Sequence, residues 1–226
     1  MSEMSEPASA LPVTRPKKRY ALVIFDMDGT LTQERLDFGA IRREIGVPDA
    51  SPILEFILGL PSEERHRAQA ALHRYEAAAA QTCIVREGAR EILAVLKDRG
   101  IHTALLTRNS DICTRSVLAR HGLILDHVAT RDDLPHKPHR DSIWNIMRRF
   151  PSPDRAGGAE SGNTGILPEQ TLMVGDYLYD VQAANNAGVD SVLLCQKAVL
   201  PAFAAQATYV VRSLPEVQEI VLGLQE

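Results

Sequence analysis

Two carboxylates stand two residues apart in Asp26-Met27-Asp28-Gly29-Thr30, directly behind an apolar run. Carboxylates this close repel one another unless a divalent cation is present. With one present, one carboxylate can attack phosphorus while the other handles the proton of the leaving group. An Asp-Gly pair after a strand is also an ordinary turn, so the pattern takes its weight from three groups further along the chain. Thr107-Arg108-Asn109 offers a hydroxyl and an amide that can bind phosphate oxygens, although Asn109 or Ser110 would serve equally as the N-cap of a helix from Asp111. Lys137, in Lys137-Pro138, could neutralise clustered carboxylates and hold a phosphoryl group. Gly175-Asp176-Tyr177-Leu178-Tyr179-Asp180 adds two more carboxylates, four residues apart. Hard oxygen ligands with few cysteines or histidines among them point to magnesium.

Each group stands next to an element able to position it. Ala21-Leu22-Val23-Ile24-Phe25 is a short continuous apolar run, the pattern of a strand buried on both faces. Ile101 to Leu106, Leu172 to Val174 and Val192 to Leu194 repeat it, His127 to Ala129 does so more weakly, and Tyr209 to Val211 suits an edge strand. Helical patterns alternate with these runs over Ala89–Asp98, Asp111–His121 and Tyr179–Ala187, each with a glycine just beyond (Gly100, Gly122, Gly188) for a left-handed C-terminal cap. Strands alternating with helices of this length predict βαβ units in an α/β fold, a doubly wound, Rossmann-like parallel sheet. In such a sheet ligands bind outside the carboxyl ends of the strands, where all four groups fall.

One stretch breaks the alternation. Residues 33–85 carry no strand signal but three helical patterns: Leu36–Ile45; Ile53–Leu60, opened by Ser51 as N-cap and Pro52; and a longer helix capped by Ser62, with Ala68, Leu72, Tyr75 and Ala79 at helical spacing. This predicts an inserted, all-helical cap (33–85) over a core formed by 19–32 and 86–226. Residues 1–18 are polar and unpatterned, the signature of a disordered tail, and 151–164 read as a flexible surface loop within the core.

Composition narrows the field. A formal charge of −4 gives no reason to expect nucleic acid or an anionic membrane as partner. Three widely spaced cysteines (Cys83, Cys113, Cys195) and the lack of a secretory or membrane-spanning run lead to the expectation of a cytoplasmic protein. Oligomeric state is not encoded in any of these features.

Taken in order, the four motifs resemble those of the haloacid dehalogenase superfamily, in its phosphoglycolate phosphatase-like branch with a helical cap inserted after the first strand. The resemblance spans roughly residues 20–212. It implies Asp26 as nucleophile and Asp28 as general acid and base. It implies phosphate binding by Thr107 and Lys137, with Arg108 and Asn109 beside them. It also implies a magnesium site formed by Asp26, Asp28 (through its carbonyl) and Asp176, with Asp180 in support. Two features depart from that pattern: Tyr177 stands where a small hydroxyl residue is common, and the cap is short. The implied activity is magnesium-dependent hydrolysis of a small phosphorylated metabolite through an aspartyl-phosphate. The alternatives are a phosphomutase of the same superfamily, a dehalogenase (disfavoured by Asp28), and a non-catalytic binding module. Residues 33–85 contain no lysine, so the Schiff base used by phosphonate hydrolases of this superfamily has no counterpart here. The pairs His136/His139 and His66/His73 fit no zinc pattern and receive no role. Arg42 and Arg43 could meet a substrate anion or simply lie on an exposed helix face.

Overall fold

The computed structural model describes residues 20–33, 35–49, 51–152 and 165–224. The expected tail and most of the 151–164 loop lie outside those residues. Six strands form one parallel sheet: β1 (Leu22–Phe25), β2 (His102–Leu106), β3 (His127–Ala129), β4 (Thr171–Gly175), β5 (Asp190–Leu194) and β6 (Tyr209–Val211). Their order is β3-β2-β1-β4-β5-β6, with β1 central and β6 at one edge. Phe25 is in register with Leu105 on one side and Val174 on the other, so the ends of β1, β2 and β4 open together.

The continuous apolar runs have a simple cause: both faces of the sheet are covered. Val23, Phe25, Leu105, Leu172 and Val174 face α4 (Ala89–Asp98), α5 (Asp111–His121) and α8 (Leu214–Leu222). Leu22, Ile24, Ala104, Leu106 and Met173 face the opposite way, onto α6 (Asp141–Met147) and α7 (Leu178–Ala187). Gly122 and Gly188 end α5 and α7 in the left-handed conformation, as their positions suggested.

Between β1 and α4 lie α1 (Phe38–Ile45), α2 (Ile53–Gly59) and α3 (Ser62–Thr82). They share a small core of their own around Ile41, Ile57, Ala68 and Leu72. The last turn of α3 departs from it, since Ala80 and the following Cys83 enter the main core beside Val117 and Leu118. Helix α1 starts two residues later than the apolar pattern implied because the Asp37 carboxylate caps the Ala40 amide at 2.8 Å. The two expected serine caps are not formed. Pro52 and Pro61 occupy the N-cap positions of α2 and α3, and Ser62 is itself the first residue of α3. The Ser51 carbonyl instead accepts a bond from Arg42. The buried stripe of α3 also differs from the expected one: it takes in Glu76, while Ala79 is only partly covered.

Candidate active site

The residues with chemical potential meet at the carboxyl ends of β1, β2 and β4. Asp26 follows Phe25 directly, and its amide N–H donates to the Val174 carbonyl at 2.9 Å, so its backbone is still on the ladder where the carboxylate departs. Gly29 then turns the chain at φ +77°, and a Cβ there would lie 2.1 Å from Asp176 Oδ2. Only glycine lets this turn sit against the Asp176 carboxylate. At the end of β2 the buried Thr107 is held by its N–H to the Ala129 carbonyl, at 3.0 Å.

Lys137 arrives from the loop after β3. It is buried, and its ammonium donates to Asp26 Oδ1 at 2.7 Å and to Asp180 Oδ1 at 2.6 Å. The other Asp180 oxygen accepts from the Tyr177 N–H at 3.0 Å, which fixes this carboxylate at the start of α7. Asp28 lines the same cavity on partners of its own. Its Oδ2 accepts from Asn109 Nδ2 at 2.5 Å, and its Oδ1 accepts from the Thr32 hydroxyl at 3.3 Å. The Asn109 amide is therefore spent on Asp28, and the Ser110 hydroxyl donates to Glu76 at 2.9 Å, so neither side chain caps α5.

Burial pushes the Asp26 carboxyl up to about 7; Lys137 opposes the rise, and Asp180 and Asp28 add to it. For Lys137 burial works against the charge, but Asp180 and Asp26 outweigh it and hold the ammonium above its usual value. Four carboxylates thus share this end of the sheet with one lysine bonded to two of them. Asp26, Asp176 and Asp180 each bring an oxygen within 4.8 Å of the others. An all-oxygen donor set with an excess of negative charge fits a magnesium ion.

A cavity of about 330 Å³ opens above these groups, between the strand ends and α1–α3. Asp26, Asp28, Thr107, Arg108, Asn109, Lys137, Asp176 and Asp180 all line it. Arg108 lines it while committed elsewhere. It donates to both Glu55 oxygens on α2, at 2.9 and 2.8 Å, and to the Lys137 carbonyl, and it lies 4.6 Å from the Tyr179 ring centroid. Burial alone would raise the Glu55 carboxyl; the Arg108 bonds outweigh it and hold it below its usual value. Arg42 also lines the cavity, whereas the exposed Arg43 does not. His66 meets the Ser62 carbonyl of its own helix, while His136 is half-buried 3.7 Å from Glu55. Burial and Arg108 hold the His136 ring below its usual value.

Sequence reasoning missed three of these partners. Glu76 is buried on α3 and accepts from Arg131 and Ser110; Glu55 engages Arg108; Arg86 donates to the Gly29 carbonyl at 2.6 Å and so holds the turn after Asp28. Glu76 left a trace, since it falls four residues after Leu72 and four before Ala80, on the buried stripe.

The chain is 28% identical to a haloacid dehalogenase-like hydrolase domain-containing protein of Arabidopsis thaliana, over 80% of this chain and 73% of that one. It is 28% identical to a phosphoglycolate phosphatase of Pseudomonas putida, over 80% of this chain and 70% of that one. Two further relatives are matched over only 48% and 43% of their own length. Among solved structures, one described as a predicted phosphoglycolate phosphatase from Haemophilus somnus superposes with a TM-score of 0.65 at 20% identity, covering 91% of this chain and 98% of that one; this likeness concerns the fold alone. Among the described residues no helix is long and apolar enough to cross a membrane. The family model for haloacid dehalogenase-like hydrolases matches residues 23–194, and the chain belongs to that family of hydrolases.

Proposed function

We propose that this hydrolase is a magnesium-dependent phosphatase that cleaves small phosphate monoesters by way of an aspartyl-phosphate on Asp26. The observation that carries the reading is the buried Lys137 ammonium bridging Asp26 and Asp180 in the cavity between the strand ends and α1–α3. A lysine fixed there holds one Asp26 oxygen still, leaving Oδ2 to attack phosphorus, and stays charged to receive a phosphoryl oxygen. The Thr107 hydroxyl stands at the neighbouring strand end to receive another. Asp28, kept in place by Asn109 and Thr32, protonates the leaving oxygen. The same carboxylate then takes a proton from the water that cleaves the aspartyl-phosphate. Asp26, Asp176 and the Asp28 carbonyl are the groups that would hold magnesium, with Asp180 in support. When bound, the ion would neutralise charge on the phosphoryl group during in-line transfer.

The phosphatase names of several relatives support this reading. The test is steady-state hydrolysis of a phosphate monoester panel. Turnover is expected with magnesium, lost on chelation, and lowered by about 1000-fold or more in Asp26→Asn. Turnover that survives chelation, or a fully active Asp26→Asn protein, would overturn the assignment.

A further inference from the structure

We propose that the organic half of the substrate is apolar: the cavity selects phosphate monoesters of alkyl or aryl alcohols over phosphorylated sugars and polyols. The inference rests on the phosphatase reading, and concerns the half of the cavity facing away from the carboxylates. Among the described residues, α1–α3 and their connections contribute eight side chains to the lining. Six of them are apolar: Leu36, Phe38, Pro52, Ile53, Leu54 and Leu72. Leu36, Ile53 and Leu54 pack on the small core of these helices yet stay only partly buried, so apolar surface is left for a ligand to cover.

The two polar contributors are already engaged. Glu76 accepts from Arg131 and from the Ser110 hydroxyl. Arg42 donates through Nη1 to the Pro48 carbonyl at 3.1 Å and to the Ser51 carbonyl at 2.8 Å, tying α1 to the segment that leads into α2. It can still offer a donor to one acceptor at the far end of a ligand. Among the described residues no Ser, Thr, Asn, Gln or His from this side lines the cavity. The core side carries the polar groups already described, joined by two aromatic rings, with Tyr177 edge-on to Tyr179 at 5.3 Å between ring centroids. Tyr179 in turn lies beneath the Arg108 guanidinium.

A sugar ring brings several hydroxyls, each of which gives up water on entry. Hydroxyls turned to the wall formed by α1–α3 would find no partner beyond Arg42, which costs on the order of tenfold in affinity for each one stranded. A hydrocarbon of the same size loses nothing and covers the exposed faces of Leu36, Ile53 and Leu54.

The test compares cyclohexylmethyl phosphate with glucose 6-phosphate, using the full chain and magnesium. Both are esters of a primary alcohol on a six-membered ring, so leaving group and bulk are matched and the hydroxyls are the difference. A kcat/KM at least about tenfold higher for the cyclohexylmethyl ester is expected. An equal or higher value for the sugar phosphate would overturn the inference and leave the phosphatase reading intact. Calorimetric titration with cyclohexylmethylphosphonate and methylphosphonate separates the two claims. If neither these esters nor any other in the monoester panel is hydrolysed, the phosphatase reading falls. Tighter binding of the larger phosphonate would then still support the apolar subsite, and equal binding would refute it.

Discussion

Two sets of ion pairs meet around one cavity, and they differ in burial. On the core side, Lys137 lies between Asp26 and Asp180 with all three side chains at most 13% exposed. Where α2 meets the core, Glu55 grips Arg108 with 41% of its own side chain in solvent. Charge attraction acts in both, but water screens the second far more than the first. The buried set therefore holds its members more firmly, at the expense of needing every partner present. The exposed set can be made and broken at little cost. Glu76 is intermediate: it is buried, but its partner Arg131 keeps one edge in water.

That ordering can be broken by substitution. Lys137→Met leaves Asp26 and Asp180 facing each other without their cation. The expected result is loss of turnover together with about 3–5 kcal/mol of stability, read by denaturant unfolding. A loss below about 1 kcal/mol would mean that the triad is not the rigid element inferred above.

Asp26→Asn sharpens the same point through pH. The Asp26 carboxyl ionises near 3.8 when unfolded and near 7 when folded without metal, burial being the main cause. Between those values the unfolded state has released a proton that the folded state keeps, so the wild-type carboxyl costs stability increasingly as pH rises. In chelator, Asp26→Asn is therefore expected to raise the melting temperature by several degrees at pH 8 and hardly at all at pH 4. A benefit that shrinks with rising pH would contradict the burial argument.

The smaller effects belong to the contacts made by α2 and α3. Glu76→Gln should lower stability by about 1–3 kcal/mol, because Arg131 and Ser110 lose a charged acceptor. Glu55→Gln should cost under about 1 kcal/mol while raising KM a few-fold, since Arg108 would be released beside Lys137. Equal stability losses in the two variants would erase the distinction drawn from burial.

The same contrast decides what could be read from sequence. Strands buried on both faces leave unbroken runs such as Leu22–Phe25, and the residue after such a run falls at the open end of the sheet. Asp26, Thr107 and Asp176 were legible for that reason. Lys137 was legible only through its company with them, because an isolated lysine in a loop is normally solvated. Pairings between distant segments left almost no trace. Glu55 lies 53 residues from Arg108, and Glu76 lies 55 from Arg131. Glu55 reads locally as an ordinary helix-surface glutamate, and Glu76 shows only its place on the buried stripe, not its partner. The serine caps failed for a local reason: Pro52 and Pro61 already fix an extended entry into α2 and α3, so neither Ser51 nor Ser62 is placed to cap.

The central claim is that Asp26 carries the phosphoryl group. Its most direct test is acid quench of the protein during turnover of a radiolabelled phosphate monoester with magnesium, followed by peptide mapping. The account expects label on the peptide containing Asp26, released by hydroxylamine as an acyl phosphate is, and absent from Asp26→Asn. Label on any other residue, or turnover with no label trapped on Asp26 even when the quench precedes the first release of phosphate, would contradict it.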